Sequence, residues 1–154
     1  MIEACLKELK IHLPASSKPA ANYVPFKKAG PFVYISGQLP LWEGALKYKG
    51  KIGVDYSLED GQKAAELCLL NILATLKVAC EGDLERVTQC IRLGGYVNCN
   101  DDFKDHSIVI NGASDLMVKI FGEKGVHARA AVGVSSLPFN SAVEIEGLFE
   151  IKLP

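Results

Sequence analysis

The stretch HARAAVGVSSLPFNSAVEIEGLFEI, residues 127–151, decides the fold prediction. Apolar side chains alternate with other residues on both sides of a Ser-Ser-Leu-Pro segment, which is typical of two half-buried β-strands joined by a turn. If the turn centres on Ser136 and Leu137, an antiparallel register places Arg129 opposite Glu144. Cross-strand partners have Cβ atoms roughly 5 Å apart. The hairpin therefore predicts that a guanidinium and a carboxylate meet on one face of a sheet.

This pair of charges has two interpretations. On spacing alone, a cross-strand ion pair is more common than a functional site, and exposed ion pairs contribute little stability. A site is the alternative, because an arginine can hold a ligand carboxylate while a glutamate orients water. In either case, an adjacent Arg129 should lower the pKa of the Glu144 carboxyl through its opposite charge.

Composition limits the class of protein. The chain has 154 residues, 49% of them hydrophobic, and we expect a single domain over residues 1–154 with its own core. A formal net charge of -1 gives no general attraction to nucleic acid or to anionic membranes. The five cysteines lack paired spacing and predict buried reduced thiols. The N-terminal sequence has no signal or transit character and no stretch is long enough to span a bilayer, so we expect a cytoplasmic protein without membrane contact.

The rest of the chain predicts an α+β fold. Two short strands are expected at Tyr23–Lys28 and Phe32–Ser36, and a third at Arg86–Val97. A capping box formed by Ser57 and Asp60 begins a helix over Leu58–Cys80, and a weaker helical pattern covers Ile108–Phe121. Gly94 and Gly95 indicate a bulge or a close backbone approach in the third strand. With the two final strands, this order predicts a mostly antiparallel sheet with both helices on one face.

Such a layer leaves the second face of the sheet uncovered. Ala131 and Gly133 are expected on that face, and they are too small for ordinary solvated strand positions. We therefore expect other copies of the chain to cover it.

Several motifs resemble one known family. Residues 34–40, YISGQLP, are similar to a strand of the RidA/YjgF reactive-intermediate deaminases, which have also been described as L-PSP endoribonucleases. The closing pattern of Ala128-Arg129, Leu137-Pro138 and Val143-Glu144-Ile145-Glu146 has the spacing of the same family. The resemblance extends from Tyr23 to Ile151.

This resemblance implies a chorismate-mutase-like subunit, a homotrimer, and clefts between neighbouring subunits. It implies hydrolysis of reactive 2-imino or enamine acids to 2-keto acids and ammonia, with no cofactor and no metal. Arg129 would hold the substrate carboxylate and Glu144 would orient water. The other positions that match the family's substrate-binding residues are Tyr23, Ser36, Gly37 and Asn111.

The chain also departs from the archetypal members. Ala131 stands where they have a cysteine, and Ala21-Asn22 replaces a Gly-Pro pair before Tyr23. The match at Asn111 requires an insertion of a few residues after Phe103. These differences leave the identity of the substrate open and indicate a longer branch of the family.

Two other classes of function stay possible from the sequence. One is a regulatory trimer that binds a small carboxylate without turnover, which would need Arg129 but no oriented water. The other is an endoribonuclease; Lys47–Lys51 interleaves lysines with a tyrosine, although a solvated hairpin explains this equally well. Nucleic acid is not an expected partner given the neutral charge. The three histidines have no metal-ligand spacing and are expected to be non-catalytic.

Overall fold

The computed structural model describes residues 1–16, 18 and 21–154. Its α-helices are α1 (Ile2–Glu8), α2 (Leu58–Ala79) and α3 (His106–Phe121). Its strands are β1 (Phe26–Ala29), β2 (Phe32–Gln38), β3 (Leu41–Trp42), β4 (Ala45–Leu46), β5 (Val87–Asn98), β6 (Ala128–Val134) and β7 (Val143–Ile151). Short 3₁₀ turns occupy Leu84–Arg86, Gly122–Gly125 and Pro138–Asn140. The α+β class is confirmed.

The main sheet has five strands in the order β1-β2-β7-β5-β6. β5 pairs with β6 in parallel and with β7 in antiparallel orientation, so the sheet is mixed. The predicted hairpin between the last two strands is wrong, because β5 lies between them. Arg129 is registered with Leu93, and Glu144 with Tyr96. Alternating hydrophobicity defines the two faces of a strand, but it does not select the neighbouring strand.

The register places the two charged residues on opposite faces. Along β7, burial alternates strictly, and the buried positions such as Ile145 face the helices. Glu144 and Tyr96 share the other face, which we call the open face. Leu93 is fully buried on the helical face, and its partner Arg129 shares that face. Within one chain the sheet therefore separates the guanidinium from the carboxylate.

α2 and α3 pack side by side on the helical face. The capping box is confirmed: the Asp60 amide donates to Ser57 Oγ at 3.1 Å, and the Ser57 amide donates to Asp60 Oδ2 at 3.3 Å. α2 ends within one residue of the predicted boundary, and α3 begins two residues before it. Most of α2 is buried, since it packs on the sheet along one side and against α3 along another.

The N-terminal helix α1 was not predicted, so the fold has three α-helices among the described residues and not two. Ile2 and Leu6 are buried, and the helix packs against α3. A seven-residue helix has little intrinsic stability in water. Its formation depends on this tertiary contact, which local sequence does not show.

The paired glycines in β5 allow a close approach. A Cβ at Gly95 would lie 2.6 Å from Ile110 of α3, so the prediction of a close backbone approach is confirmed there. The bulges of β5 lie earlier, between Val87 and Gln89 and between Cys90 and Arg92. The glycine therefore sets the distance between the sheet and α3.

The open face carries exposed apolar side chains. Phe32, Tyr34 and Val132 are 41%, 52% and 45% exposed. The expectation that Ala131 and Gly133 form this surface is wrong, because β6 presents them toward the helical side. A Cβ at Gly133 would lie 2.8 Å from the Cys99 sulfur. The sheet does have an uncovered face, but its exposed side chains are aromatic and β-branched ones.

Across the described ranges, no helix combines the length and apolar character needed to cross a bilayer. The longest helix, α2, has 22 residues and carries charged side chains in its first turns.

At Gly112 the backbone of α3 lies close to the backbone of α2. A Cβ at this position would lie 2.2 Å from the Gln62 carbonyl oxygen. Because a backbone atom of another helix cannot swing aside, Gly112→Ala should destabilise the fold by about 1–3 kcal/mol. Denaturant unfolding measures this change. Asp115→Ala, at an exposed position of the same helix, should alter stability by less than about 0.5 kcal/mol. Wild-type stability in Gly112→Ala would contradict the close packing.

Candidate functional site

One cavity brings together four of the predicted site residues. Its volume is about 400 Å³, and Glu144 is one of its lining residues. The complete lining is Tyr23, Val24, Phe26, Lys27, Tyr34, Ile35, Ser36, Gly37, Glu144 and Glu146. Tyr23 lies in the bend before β1, and not in a strand as predicted. We call this group the glutamate half-site.

A bulge in β2 shapes the glutamate half-site. Ile35 is registered with Gly147 and Gln38 with Ile145, so β2 has one residue more than β7 over this interval. The extra residue takes Ser36 and Gly37 out of regular pairing with β7. Bulges of this kind occur beside functional sites because they redirect backbone and side-chain groups.

Ser36 and Gly37 have separate roles in the geometry. The Ser36 hydroxyl donates to the Val24 carbonyl at 2.6 Å, and the Ser36 amide donates to the Pro25 carbonyl at 3.0 Å. These bonds fasten the segment that carries Tyr23 beside β2. A Cβ at Gly37 would lie 2.5 Å from Glu144 Oε1. Glycine is therefore required for the carboxylate to rest against the β2 backbone.

The Glu144 pKa is raised above its usual value. Burial of the carboxyl is the main cause, and the negative charge of Glu146 adds to it. The sequence-based prediction of a lowered pKa is wrong, because it assumed that Arg129 lies beside Glu144 in the same sheet. A raised pKa makes the Glu144 carboxylate a stronger base than an ordinary glutamate.

Glu146 is a component of the cavity that sequence reasoning did not single out. The Tyr96 hydroxyl donates to Glu146 Oε1 at 2.8 Å, and Arg92 NH1 lies 3.5 Å from the same oxygen. The hydrogen bond to Glu146 is also the main reason that the Tyr96 pKa is raised. The spacing of two residues from Glu144 along a strand was the available signal, since it puts both carboxylates on one face.

Arg129 lies in a second group on the helical face. Its NH1 donates to Asn111 Oδ1 at 2.8 Å and to Ser114 Oγ at 3.1 Å, and its NH2 donates to the Ser107 carbonyl at 3.4 Å. Asn111 lies inside α3, more than one turn after the N-cap Asp105. We call Arg129, Asn111 and Ser114 the arginine half-site.

The arginine has donors left for a ligand. A guanidinium carries five N–H groups. Those of NH1 and one of NH2 have acceptors in α3. Among the described residues, Nε–H and the second NH2 hydrogen have none. Two N–H groups are the number that a carboxylate accepts in a bidentate contact.

Neither Arg129 nor Asn111 lines the cavity that contains Glu144. The structure thus brings Tyr23, Ser36, Gly37 and Glu144 together, and separately brings Asn111 to Arg129. It does not join the two half-sites within one chain.

Within the basic segment Lys47–Lys51, Lys51 makes contacts inside the fold, whereas Lys47 and Lys49 are exposed. Lys51 Nζ donates to Asn98 Oδ1 at 2.9 Å and to the Ser135 carbonyl at 2.5 Å. Asn98 is itself fully buried. Lys51 therefore holds the segment before α2 against the end of β5.

All five cysteines are unpaired; four are buried and Cys5 is half-buried. Burial raises the Cys90 pKa to about 12 and also raises the pKa of Cys68, Cys80 and Cys99. Thiols with raised pKa values are poor nucleophiles at neutral pH. Over the residues that the structure describes, no three His, Cys, Asp or Glu side chains are grouped so as to hold a metal ion.

Comparison with known proteins identifies the family. The pattern of the family described as "YjgF/chorismate mutase-like, putative endoribonuclease" matches residues 3–151. Protein TCP17 of Trypanosoma cruzi is 42% identical over 97% of this chain and 94% of its own length. A protein of unknown function from Agrobacterium tumefaciens, Atu1372, has a crystal structure that is 48% identical and covers 98% of this chain and 92% of its own, with a TM-score of 0.92.

Two further structures extend the comparison. A putative endoribonuclease from Shewanella oneidensis is 36% identical, with a TM-score of 0.95 and coverage of 98% of this chain and 99% of its own. RidA from an Antarctic Psychrobacter is 28% identical over 89% of this chain and 94% of its own, with a TM-score of 0.61. The chain belongs to the YjgF/chorismate-mutase-like family, which includes RidA.

Proposed function

We propose that the protein hydrolyses small 2-imino acids, or their enamine tautomers, to 2-keto acids and ammonia in a cleft between two copies of the chain. The observation that carries this proposal is the pair of half-sites on opposite faces of one sheet. One offers two free guanidinium donors and the other a half-buried carboxylate in a cavity. A substrate with a carboxylate next to an electrophilic carbon needs both.

In this proposal Arg129 binds the carboxylate of the substrate. Its remaining N–H groups donate to the two oxygens of a substrate carboxylate in a planar, charge-assisted contact. Because Asn111 and Ser114 already hold NH1, little side-chain freedom is left to lose when the ligand binds. This contact fixes the imine carbon relative to the opposite wall of the cleft.

Glu144 supplies the proton transfers. As a carboxylate it takes a proton from water while the water oxygen bonds to the protonated imine carbon, which gives a carbinolamine. The protonated Glu144 then returns the proton to the amine nitrogen. The C–N bond breaks, ammonia leaves, and the hydroxyl gives its proton to the Glu144 carboxylate as the keto group forms. The raised Glu144 pKa serves both directions of transfer. No cofactor is needed, since the protonated imine is already electrophilic.

Assembly completes the site in this proposal. The exposed Phe32, Tyr34 and Val132 make the open face an apolar surface that other copies would cover. A closed ring of three chains, as the family resemblance implies, would bring each glutamate half-site to a neighbour's arginine half-site. The unpaired cysteines fit a reducing compartment, so we place the protein in the cytoplasm.

Single substitutions separate binding from turnover. Arg129→Ala should weaken 2-oxobutanoate binding and raise KM by roughly 10- to 100-fold, because a charged hydrogen-bonded contact contributes roughly 1.5–3 kcal/mol. Glu144→Gln should retain binding and lower kcat by about a hundredfold or more. The measurement is keto-acid formation from an imine generated in situ by an amino-acid oxidase, together with calorimetric binding.

The same samples test the alternatives. Binding without turnover in the wild type would support a regulatory carboxylate-binding protein. Ribonuclease activity that is lost in Arg129→Ala would support the endoribonuclease alternative. Wild-type imine hydrolysis in both variants would remove these residues from the site.

Mixed assemblies test whether the cleft lies between chains. Arg129→Ala and Glu144→Gln chains, unfolded together and refolded at equal amounts, should recover about one quarter of wild-type activity, since random assembly leaves about one cleft in four with both residues intact. Sedimentation equilibrium should give the mass of three chains. Separately refolded variants, mixed without exchange, are the control. If trimers shown to contain both variants stay inactive, Arg129 and Glu144 do not act together across two chains, and the proposed cleft is wrong.

The pH profile tests the role of Glu146. The Glu144 pKa is raised partly by the Glu146 charge. Glu146→Gln removes that charge, so the acidic limb of the kcat/KM profile should move to lower pH while the plateau is retained. Asp115→Ala removes an exposed carboxylate from α3 and should leave the limb in place. A limb that stays fixed or moves to higher pH in Glu146→Gln would contradict the assignment of Glu144 as the base.

A further inference from the structure

We infer that Ser114 and His127 are positioning residues for Arg129: through a directional chain of hydrogen bonds they hold its guanidinium so that its free N–H groups face the ligand. The inference rests on the proposed function, because it assigns these two residues to carboxylate recognition in the same cleft. Neither residue was expected in the site from the sequence.

The chain of hydrogen bonds has a fixed direction. His127 Nδ1 lies 2.5 Å from the Gly125 carbonyl oxygen, and His127 Nε2 lies 2.9 Å from Ser114 Oγ. A carbonyl only accepts, so Nδ1 carries a hydrogen. In the neutral imidazole Nε2 then accepts, and the Ser114 hydroxyl donates to it. That leaves Ser114 Oγ as an acceptor for Arg129 NH1, at 3.1 Å.

The start of the chain of hydrogen bonds is rigid. Gly125 is buried at the end of the 3₁₀ turn after α3, and a Cβ there would lie 2.5 Å from the Met117 carbonyl oxygen. The turn is thus packed directly on α3, the helix that carries Ser114. His127 is fixed at one end by this turn and at the other by α3.

The spacings in sequence explain why these side chains meet. Asn111 and Ser114 are three residues apart in α3, so they lie on one face of the helix. Both contact the same nitrogen of Arg129. His127 precedes Arg129 by two residues at the entry to β6 and therefore points to the same side.

The consequence is a pre-oriented binding group. With both NH1 hydrogens and one NH2 hydrogen committed, rotation of the guanidinium would break three hydrogen bonds. Its orientation is therefore set before the ligand arrives, and Ser114 and His127 should affect substrate binding more than the chemical step.

Arginine-selective NMR of the ligand-free protein tests the orientation directly. The chain has three arginines, and loss of one signal in Arg129→Lys identifies the resonance. Guanidinium rotation of Arg129 should be slow in the wild type and faster in Ser114→Ala and His127→Phe. His127→Gln should retain slow rotation, because its amide oxygen can accept from Ser114 near the position of Nε2. Equal rotation in wild type and Ser114→Ala would overturn the inference.

Kinetics test the consequence for the substrate. Ser114→Ala and His127→Phe should each raise KM by roughly three- to tenfold with kcat within about twofold, the size expected for one hydrogen bond to a charged group. The double variant should have the KM of a single variant, because His127 acts only through Ser114. Multiplied effects in the double variant would overturn the chain of hydrogen bonds.

Ser57→Ala is the matched control. It makes the same chemical change at the N-cap of α2, where the hydroxyl bonds Asp60 and not Arg129, and should lower Tm without raising KM. An equal rise of KM in this control would attribute the effect to stability and overturn the inference. If the wild type hydrolyses no imine, the proposed function fails, while the NMR comparison still decides the orientation of Arg129.

Discussion

The central position of β5 is the constraint on which the rest of the structure depends. β5 pairs in parallel with β6 along one edge and antiparallel with β7 along the other. Cross-strand partners share a face, so the partner of buried Leu93 lies on the helical face and the partner of Tyr96 lies on the open face. The separation of Arg129 from Glu144 follows from this pairing alone.

That separation gives each charged group a different environment. Arg129 lies against α3, where side chains and a carbonyl occupy three of its five donors. Glu144 lies in a cavity beside a second carboxylate, where burial and like charge raise its pKa. Had the two residues been adjacent, they would have neutralised each other. Because they are apart, Arg129 keeps free N–H donors and Glu144 keeps a free carboxylate. A second copy of the chain would supply the half-site that each one lacks.

The fold also shows how small local features support the site. The extra residue in β2 and the missing side chain at Gly37 make room for the Glu144 carboxylate. On the other face, the buried turn at Gly125 holds His127 against α3. The shape of the backbone, and not additional charged groups, positions the side chains of Glu144 and His127.

The sequence by itself determined the type of each long element and the identity of the family. Its hydrophobic periods and the Ser57 capping box predicted α2, α3 and β5, because these signals depend on neighbours a few residues apart. The motifs around Gly37, Arg129 and Glu144 indicated the family. Only the tertiary structure decided that β5 separates β6 from β7, that α1 forms against α3, and that the Glu144 pKa rises. These outcomes depend on contacts between residues distant in the chain, and alternation along a strand is the same whichever strand becomes its neighbour.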